Sequence, residues 1–251
     1  MNILSLFDGM SCGRIALERV GIEVINYYAS ELDKYAIKVT QANWPETIQL
    51  GDVTKWREWD IDWSSIDLLI GGSPCQGFSF AGKQLAFDDP RSKLFFVYVD
   101  ILNHIKWIRK IAGKSELKFM LENVKMKKDF LNVISEKLGV QPVFINSALV
   151  SAQNRQRYYW ANWNFDQPED KGIMLVDILE NEPFEKTIMS DKFTTRNKSA
   201  GCLRDDVSGK AKSLSAMEYV KNGRQGDYIA CGQMVGRKIN HETGKRDDLQ
   251  Q

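Results

Sequence analysis

Short apolar runs alternate with helically spaced segments over the first 145 residues of the chain. Residues 2–6 read as a buried strand, and residues 13–20 carry Ile15, Leu17 and Val20 at helical spacing. A second strand is predicted at 23–30 and a helix at 33–43, which stops before Trp44-Pro45. Residues 47–50 suit a short third strand, 66–70 a fourth, and 94–111 a long amphipathic helix. The run 117–121 predicts a strand ending at Glu122-Asn123, and 130–138 a helix closed by Gly139. Segments 143–147 and 158–162 suit a late strand pair. Strands alternating with helices predict an α/β fold with a mostly parallel sheet covered by helices on both faces. The periodicity fades after Trp163, where Lys, Asp, Gly, Asn and Ser become frequent. The expected organisation is therefore a domain over 1–165 and a smaller irregular lobe over 166–251, with no internal repeat at a fixed period.

Composition narrows the classes. At 251 residues and 43% hydrophobic content, the chain can bury a sizeable core. No apolar run reaches membrane-spanning length, and the N-terminus lacks the layout of a signal peptide. Cys12, Cys75, Cys202 and Cys231 are scattered with no Cys-x-x-Cys pair, which suits a reduced, cytoplasmic chain and carries no zinc signature. With His104 and His241 as the whole histidine complement, no metal site is expected. The net charge of +1 conceals an asymmetry: residues 186–251 hold 13 Lys/Arg against 8 Asp/Glu, leaving −4 on residues 1–185. A basic end on an acidic body suits either a polyanionic partner or a solvated surface.

Candidate chemistry sits where strands end. Gly71-Gly72-Ser73-Pro74-Cys75-Gln76 follows an apolar run and sets one thiol on a loop at the carboxyl edge of the sheet, where ligands bind in open α/β folds. The hexapeptide alone supports equally a nucleophile and a small cysteine buried beside a tight turn. Asp8-Gly9 follows the first strand, Glu31 the second and Gly51-Asp52 the third. A small-residue first turn admits a nucleotide-like cofactor, and an acid after the second strand can bind ribose hydroxyls. Each acid taken singly also suits a turn or helix cap. The turn Phe7-Asp8-Gly9-Met10-Ser11-Cys12-Gly13 lacks Gly-x-Gly-x-x-Gly spacing, which argues against NAD and a dinucleotide oxidoreductase. Glu122 shares a rim with Cys75 if their strands are neighbours, and Arg155 and Arg157, two apart, face one side of an extended segment. Such a pair suits a phosphate or a base carbonyl, or simply a solvated edge.

In order and spacing, Phe7-Asp8-Gly9, Glu31, Gly51-Asp52, Pro74-Cys75-Gln76, Glu122-Asn123-Val124 and Gln153-x-Arg155-x-Arg157 resemble the cytosine-5 DNA methyltransferases of bacteria and phages. Gly77-Phe78-Ser79, Gly82-Lys83-Gln84 and Asp89-Pro90-Arg91-Ser92-x-Leu94 agree, and the resemblance covers residues 1–163. It implies a Rossmann-like fold, S-adenosylmethionine (SAM) as cofactor, and methyl transfer to carbon 5 of cytosine in DNA. By resemblance, Phe7, Asp8, Gly9 and Pro74 would border the cofactor, Glu31 bind its ribose, Leu32 pack on adenine and Asp52 accept from the adenine amine. Cys75 would attack carbon 6, Glu122 would bond ring N3, and Arg155 and Arg157 would hold the base carbonyl. Gln76, Ser79, Lys83 and Arg91 would meet DNA, from which the target base must flip out.

The family ends with a Thr-Leu-Thr segment and a Gly-Asn helix that completes the cofactor pocket. No Gly-Asn segment lies near Gln251, and Lys212-Ser213-Leu214-Ser215-Ala216 is a faint, early counterpart of the former. The resemblance therefore implies a chain lacking its C-terminal end, with reduced or absent activity by itself. Expected partners are double-stranded DNA and a cognate restriction endonuclease, with the chain a monomer. A tRNA cytosine-5 methyltransferase and an inactive nucleic-acid-binding relative are the alternatives; the basic second lobe points to DNA.

Overall fold

The structure, a computed structural model, describes residues 1–74 and 93–178, together with the backbone of three two-residue strands further along. The strands are β1 (Asn2–Leu6), β2 (Asn26–Ser30), β3 (Ile48–Gln49), β4 (Leu68–Gly71), β5 (Lys118–Val124), β6 (Val143–Asn146), β7 (Gln153–Asn154) and β8 (Gln156–Ala161). The helices are α1 (Cys12–Arg19), α2 (Lys34–Asn43), α3 (Lys93–Ile111) and α4 (Lys128–Leu138). Seven strands form one sheet in the order β3-β2-β1-β4-β5-β8-β6. The first five in that order are parallel, and β8 lies antiparallel to β5.

Alternating side chains explain why this sheet is covered twice. Leu4, Leu6, Leu69, Phe119 and Leu121 enter one core with Phe95, Tyr98, Leu102 and Ile105 of α3 and Ile134 and Leu138 of α4. Ile3, Leu68 and Ile70, the intervening positions, enter a second core with Leu17 of α1 and with Tyr27 and Ala29. Strands buried on both faces read as continuous apolar runs, which is why they were visible in the sequence. Buried polar groups pin the layers. Tyr98 Oη donates to Met120 O at 3.1 Å, and burial raises its phenol well above the ordinary value. Buried Arg109 donates from Nε to Ser115 O at 2.9 Å, and from Nη1 to Ile66 O at 2.6 Å and Ser64 O at 3.0 Å.

The chain groups into two units, Met1–Ile145 with Gln156–Gln167, and Asn146–Arg155 with Pro168–Gln251. In the second, Asn146 Oδ1 accepts from Ala148 N and Arg155 N. There β7 pairs in parallel with a strand at Ala211–Lys212, and Tyr228–Ile229 pairs with Leu203–Arg204. Among the described residues no helix is long and apolar enough to cross a membrane.

Among the boundaries that shift, three bear on the site. The second strand starts at Asn26, not 23. The strand expected to stop at residue 121 runs to Val124, so Glu122 lies within it rather than past its end. The reason is pairing: β4 supplies partners only as far as Leu121, while β8 sets Tyr159, Tyr158 and Arg157 opposite Glu122, Asn123 and Val124. The extended segment around Arg155 and Arg157 is broken at Arg155, because β7 and β8 join different ladders.

Trp160 is fully buried, and its Nε1 donates to Ser135 Oγ at 2.9 Å, linking β8 to α4. Ser135→Ala strands that indole N–H, so a loss of about 1–3 kcal/mol is expected. A urea midpoint equal to that of the unaltered chain would refute it.

Candidate active site

Between β1 and β4 the winding of the sheet reverses, so the loops after these strands leave in opposite directions and open a crevice at the carboxyl edge. A pocket of about 420 Å³ lies at this edge, lined by Phe7, Glu31, Leu32, Asp52, Pro74 and Leu94 among others. Its volume lies within the range of about 300–1,000 Å³ usual for small-ligand sites. Each wall follows from a strand end: Phe7 leaves β1, Glu31 and Leu32 leave β2, Asp52 follows β3, and Pro74 leaves β4. Ser30 Oγ donates to Gly51 O at 2.7 Å and ties the second and third of these ends together.

The first turn carries backbone strain. Phe7 at φ 57° and Ser11 at φ 60° are non-glycine residues in the left-handed region, at a cost on the order of 1–3 kcal/mol each. Gly9 at φ 61° meets the same demand without a Cβ. Glu31 braces the turn. Its Oε2 accepts from Gly9 N at 2.8 Å, and its Oε1 accepts from Leu32 N and Asp33 N at 2.7 and 2.8 Å. A carboxylate offers about four acceptor positions, so capacity remains for a ligand. Asp52 Oδ1 takes Thr54 N and Thr54 Oγ1 at 2.9 and 2.8 Å, and these bonds hold its carboxyl below the usual carboxylate range.

Asp8 and Gly9 are not among the residues lining the pocket, although Gly9 N donates to Glu31, which is. The Asp8 carboxylate accepts from Ser5 Oγ at 2.6 Å, from Tyr27 Oη at 2.7 Å and from Ser11 Oγ. Burial, and then the Asp8 charge, push the Tyr27 phenol far above its ordinary value, so it stays a donor.

A second cluster adjoins the pocket through Gly72-Ser73-Pro74. Buried Asn123 donates from Nδ2 to Ser73 O at 3.3 Å and Ser73 Oγ at 3.2 Å, which fixes the loop against β5. A Cβ on Gly72 would sit 3.0 Å from Glu122 Oε2, a tight approach that a larger residue could take only if the acid shifted by a few tenths of an ångström. Arg157 Nε meets Glu122 Oε1 at 2.6 Å from the antiparallel neighbour strand. An acid held by a guanidinium beside a close-packed loop can deliver a hydrogen bond or a charge to a reacting ring.

Of the residues expected from sequence, Phe7, Glu31, Leu32, Asp52 and Pro74 come together in the pocket, and Glu122 and Arg157 pair beside it. Arg155 is exposed in the other unit. Cys75, Gln76, Ser79, Lys83 and Arg91 lie outside the described residues. Sequence reasoning overlooked Thr54, Leu94 and the anchoring of Ser73 by Asn123. The Asp-x-Thr pattern at 52–54 signals an Asx cap, whereas the Asn123 bond joins residues 50 apart and leaves no local trace.

The fold is that of the Rossmann-like SAM-dependent methyltransferases. A DNMT2 mutant structure from Spodoptera frugiperda superposes at a TM-score of 0.60, with 22% identity, over 85% of this chain and 70% of that one. The sequence matches the C-5 cytosine-specific DNA methylase profile over residues 1–247, and the chain belongs to that family. Type II methyltransferase M.NlaX of Neisseria lactamica is 34% identical over an alignment 254 positions long that covers 89% of this chain and 77% of that protein. Orphan methyltransferase M.Rho11sI of Bacillus phage rho11s is 36% identical over 172 residues, 63% of this chain. The chain spans only part of its relatives' length, as little as 32% for the phage protein.

Thr54→Val removes one donor from Asp52, so its carboxyl is expected to titrate closer to the ordinary value while Thr54 N still holds it below. A depressed carboxyl contributes stability above its unfolded pKa, lost as pH falls through the folded one; the variant should narrow that acid-side window. Carboxyl carbon NMR titration checks this, and an unshifted Asp52 curve would count against it.

Proposed function

We propose that this chain transfers a methyl group from SAM to carbon 5 of cytosine in double-stranded DNA. The observation that carries the proposal is the three-residue loop 72–74. Pro74 lines the pocket at one end while Gly72 abuts Glu122 at the other, so cofactor and acid sites share one wall. Family membership supports the same reading.

The pocket residues fit SAM. Glu31 has acceptor capacity for ribose hydroxyls, Asp52 for an exocyclic amine, and Phe7 and Leu32 offer apolar surface, Leu32 being 69% exposed. When bound, SAM supplies an electrophilic methyl on a sulfonium. Cytosine carbon 5 is a poor nucleophile, and the protein's task is to activate it. Cys75 as thiolate adds to carbon 6, and Glu122, held by Arg157, hydrogen-bonds ring N3 and stabilises the charge that develops there. Held by Phe7, Glu31, Leu32 and Asp52, SAM would supply the methyl that carbon 5 accepts. Removal of the carbon 5 proton and departure of the thiolate restore the ring. Arg157 orients the base carbonyl. The target base leaves the duplex at a cost of about a few kcal/mol, and Gln76, Ser79, Lys83 and Arg91 contact the DNA. The chain acts as a cytoplasmic monomer beside a cognate restriction endonuclease.

The test is transfer of labelled methyl from SAM to unmethylated duplex DNA and, in parallel, to tRNA. Slow labelling of DNA is expected with the unaltered chain and none with Cys75→Ser. Label on tRNA alone would reassign the acceptor, and label that survives Cys75→Ser would overturn the mechanism. Glu122→Gln should lower kcat by roughly 10²–10⁴-fold. Gly72→Ala, whose Cβ displaces Glu122, should reduce kcat more than it weakens SAM binding; the opposite ordering would show that the two sites do not share this wall.

A further inference from the structure

We infer that Tyr27 and Thr40 are positioning residues for the cofactor pocket, holding the strained first turn from beneath through Asp8 and Ser11. The inference rests on the cofactor reading of that pocket.

Four hydroxyls and one carboxylate meet under the turn, and all four hydroxyl residues, Ser5, Ser11, Tyr27 and Thr40, are buried. Their bonds form one chain. Asp8 Oδ1 takes Ser5 Oγ and Tyr27 Oη, and Asp8 Oδ2 takes Ser11 Oγ. Ser11 Oγ also meets Thr40 Oγ1 at 2.8 Å. The single Ser11 hydroxyl proton is committed to Asp8, so Thr40 must be the donor into Ser11. The chain thus joins β1, β2, the start of α1 and the inner side of α2, where Thr40 alone among the helix residues is buried.

Two features separate this arrangement from ordinary core satisfaction. Ser11 occupies the N-cap of α1, where serine is a preferred cap, yet its side chain makes no cap bond and the residue is left-handed. The favourable local use of Ser11 is given up for the bond to Asp8. The residues held adjoin the pocket: Phe7, which lines it, and Gly9 flank Asp8, and Gly9 N is the donor that fixes Glu31 Oε2. Loss of Tyr27 Oη or Thr40 Oγ1 frees the turn to leave its left-handed geometry. Apparent cofactor affinity then falls by the fraction of molecules that keep the competent turn.

The experiment is calorimetric titration of S-adenosylhomocysteine into the full chain, Tyr27→Phe, Thr40→Val and, as a control, Ser135→Ala, at a temperature well below every melting midpoint. Expected is a Kd raised roughly three- to tenfold in Tyr27→Phe and Thr40→Val. Ser135→Ala, which loses a remote buried hydroxyl, keeps the Kd of the unaltered chain despite its lower stability. In turnover, the KM for SAM rises by the same factor while kcat at saturating SAM changes less than twofold. If both pocket-side variants bind as tightly as the unaltered chain, the positioning role falls and the cofactor reading stands. If Ser135→Ala weakens binding equally, the effect is general softening and the inference is wrong. If the unaltered chain does not bind S-adenosylhomocysteine, the cofactor reading itself falls and takes the inference with it.

Discussion

Parallel pairing of five strands is the constraint on which the rest of this structure depends. Parallel strands all end at one edge, so every loop that follows a strand emerges on the same rim. Burial on both faces leaves polar function no place within the sheet except that rim. The reversal between β1 and β4 then opens a crevice there. Phe7, Glu31, Asp52 and Pro74, separated by up to 67 positions in sequence, become walls of one pocket without any of them being neighbours in the chain.

The acids at this rim are held in different ways. Among the described residues, Glu31 accepts from backbone N–H groups, Asp52 accepts from Thr54, and Asp8 accepts three hydroxyls. Backbone donors leave Glu31 at the surface of the pocket with spare lone pairs. Buried hydroxyl donors draw Asp8 beneath it. Glu122 differs again, since its partner is a cation from an antiparallel strand. Four carboxylates on one edge are thus given separate tasks by the groups around them.

Antiparallel β8 departs from the parallel plan of the five strands before it, and it assembles the second cluster. It lengthens β5 beyond the reach of β4, carries Arg157 to Glu122, and leaves Asn123 free to bind Ser73 across the strand ends. Residues 147–155, which join β6 to β8, fall in the other unit.

Strand and helix identities over residues 1–145 were legible because burial on both faces writes apolar runs directly into the sequence, and helices leave their own spacing. The acids at strand ends were legible because turn chemistry marks those ends, and the motif set was specific enough to imply the family. The division of labour was not legible. Asp8 and Glu31 look alike as acids after strands, and only the hydroxyls of Ser5, Tyr27 and Ser11 decide that Asp8 is a brace. Nor could spacing foretell that Arg155 and Arg157 would part, since each joins a ladder whose partner strand lies elsewhere in the chain. Local sequence determined the elements and the chemistry available at their ends. Tertiary pairing decided which of those groups meet, because hydrogen-bond partners 19 to 50 residues apart are chosen by the packing of the sheet and leave no periodic signal.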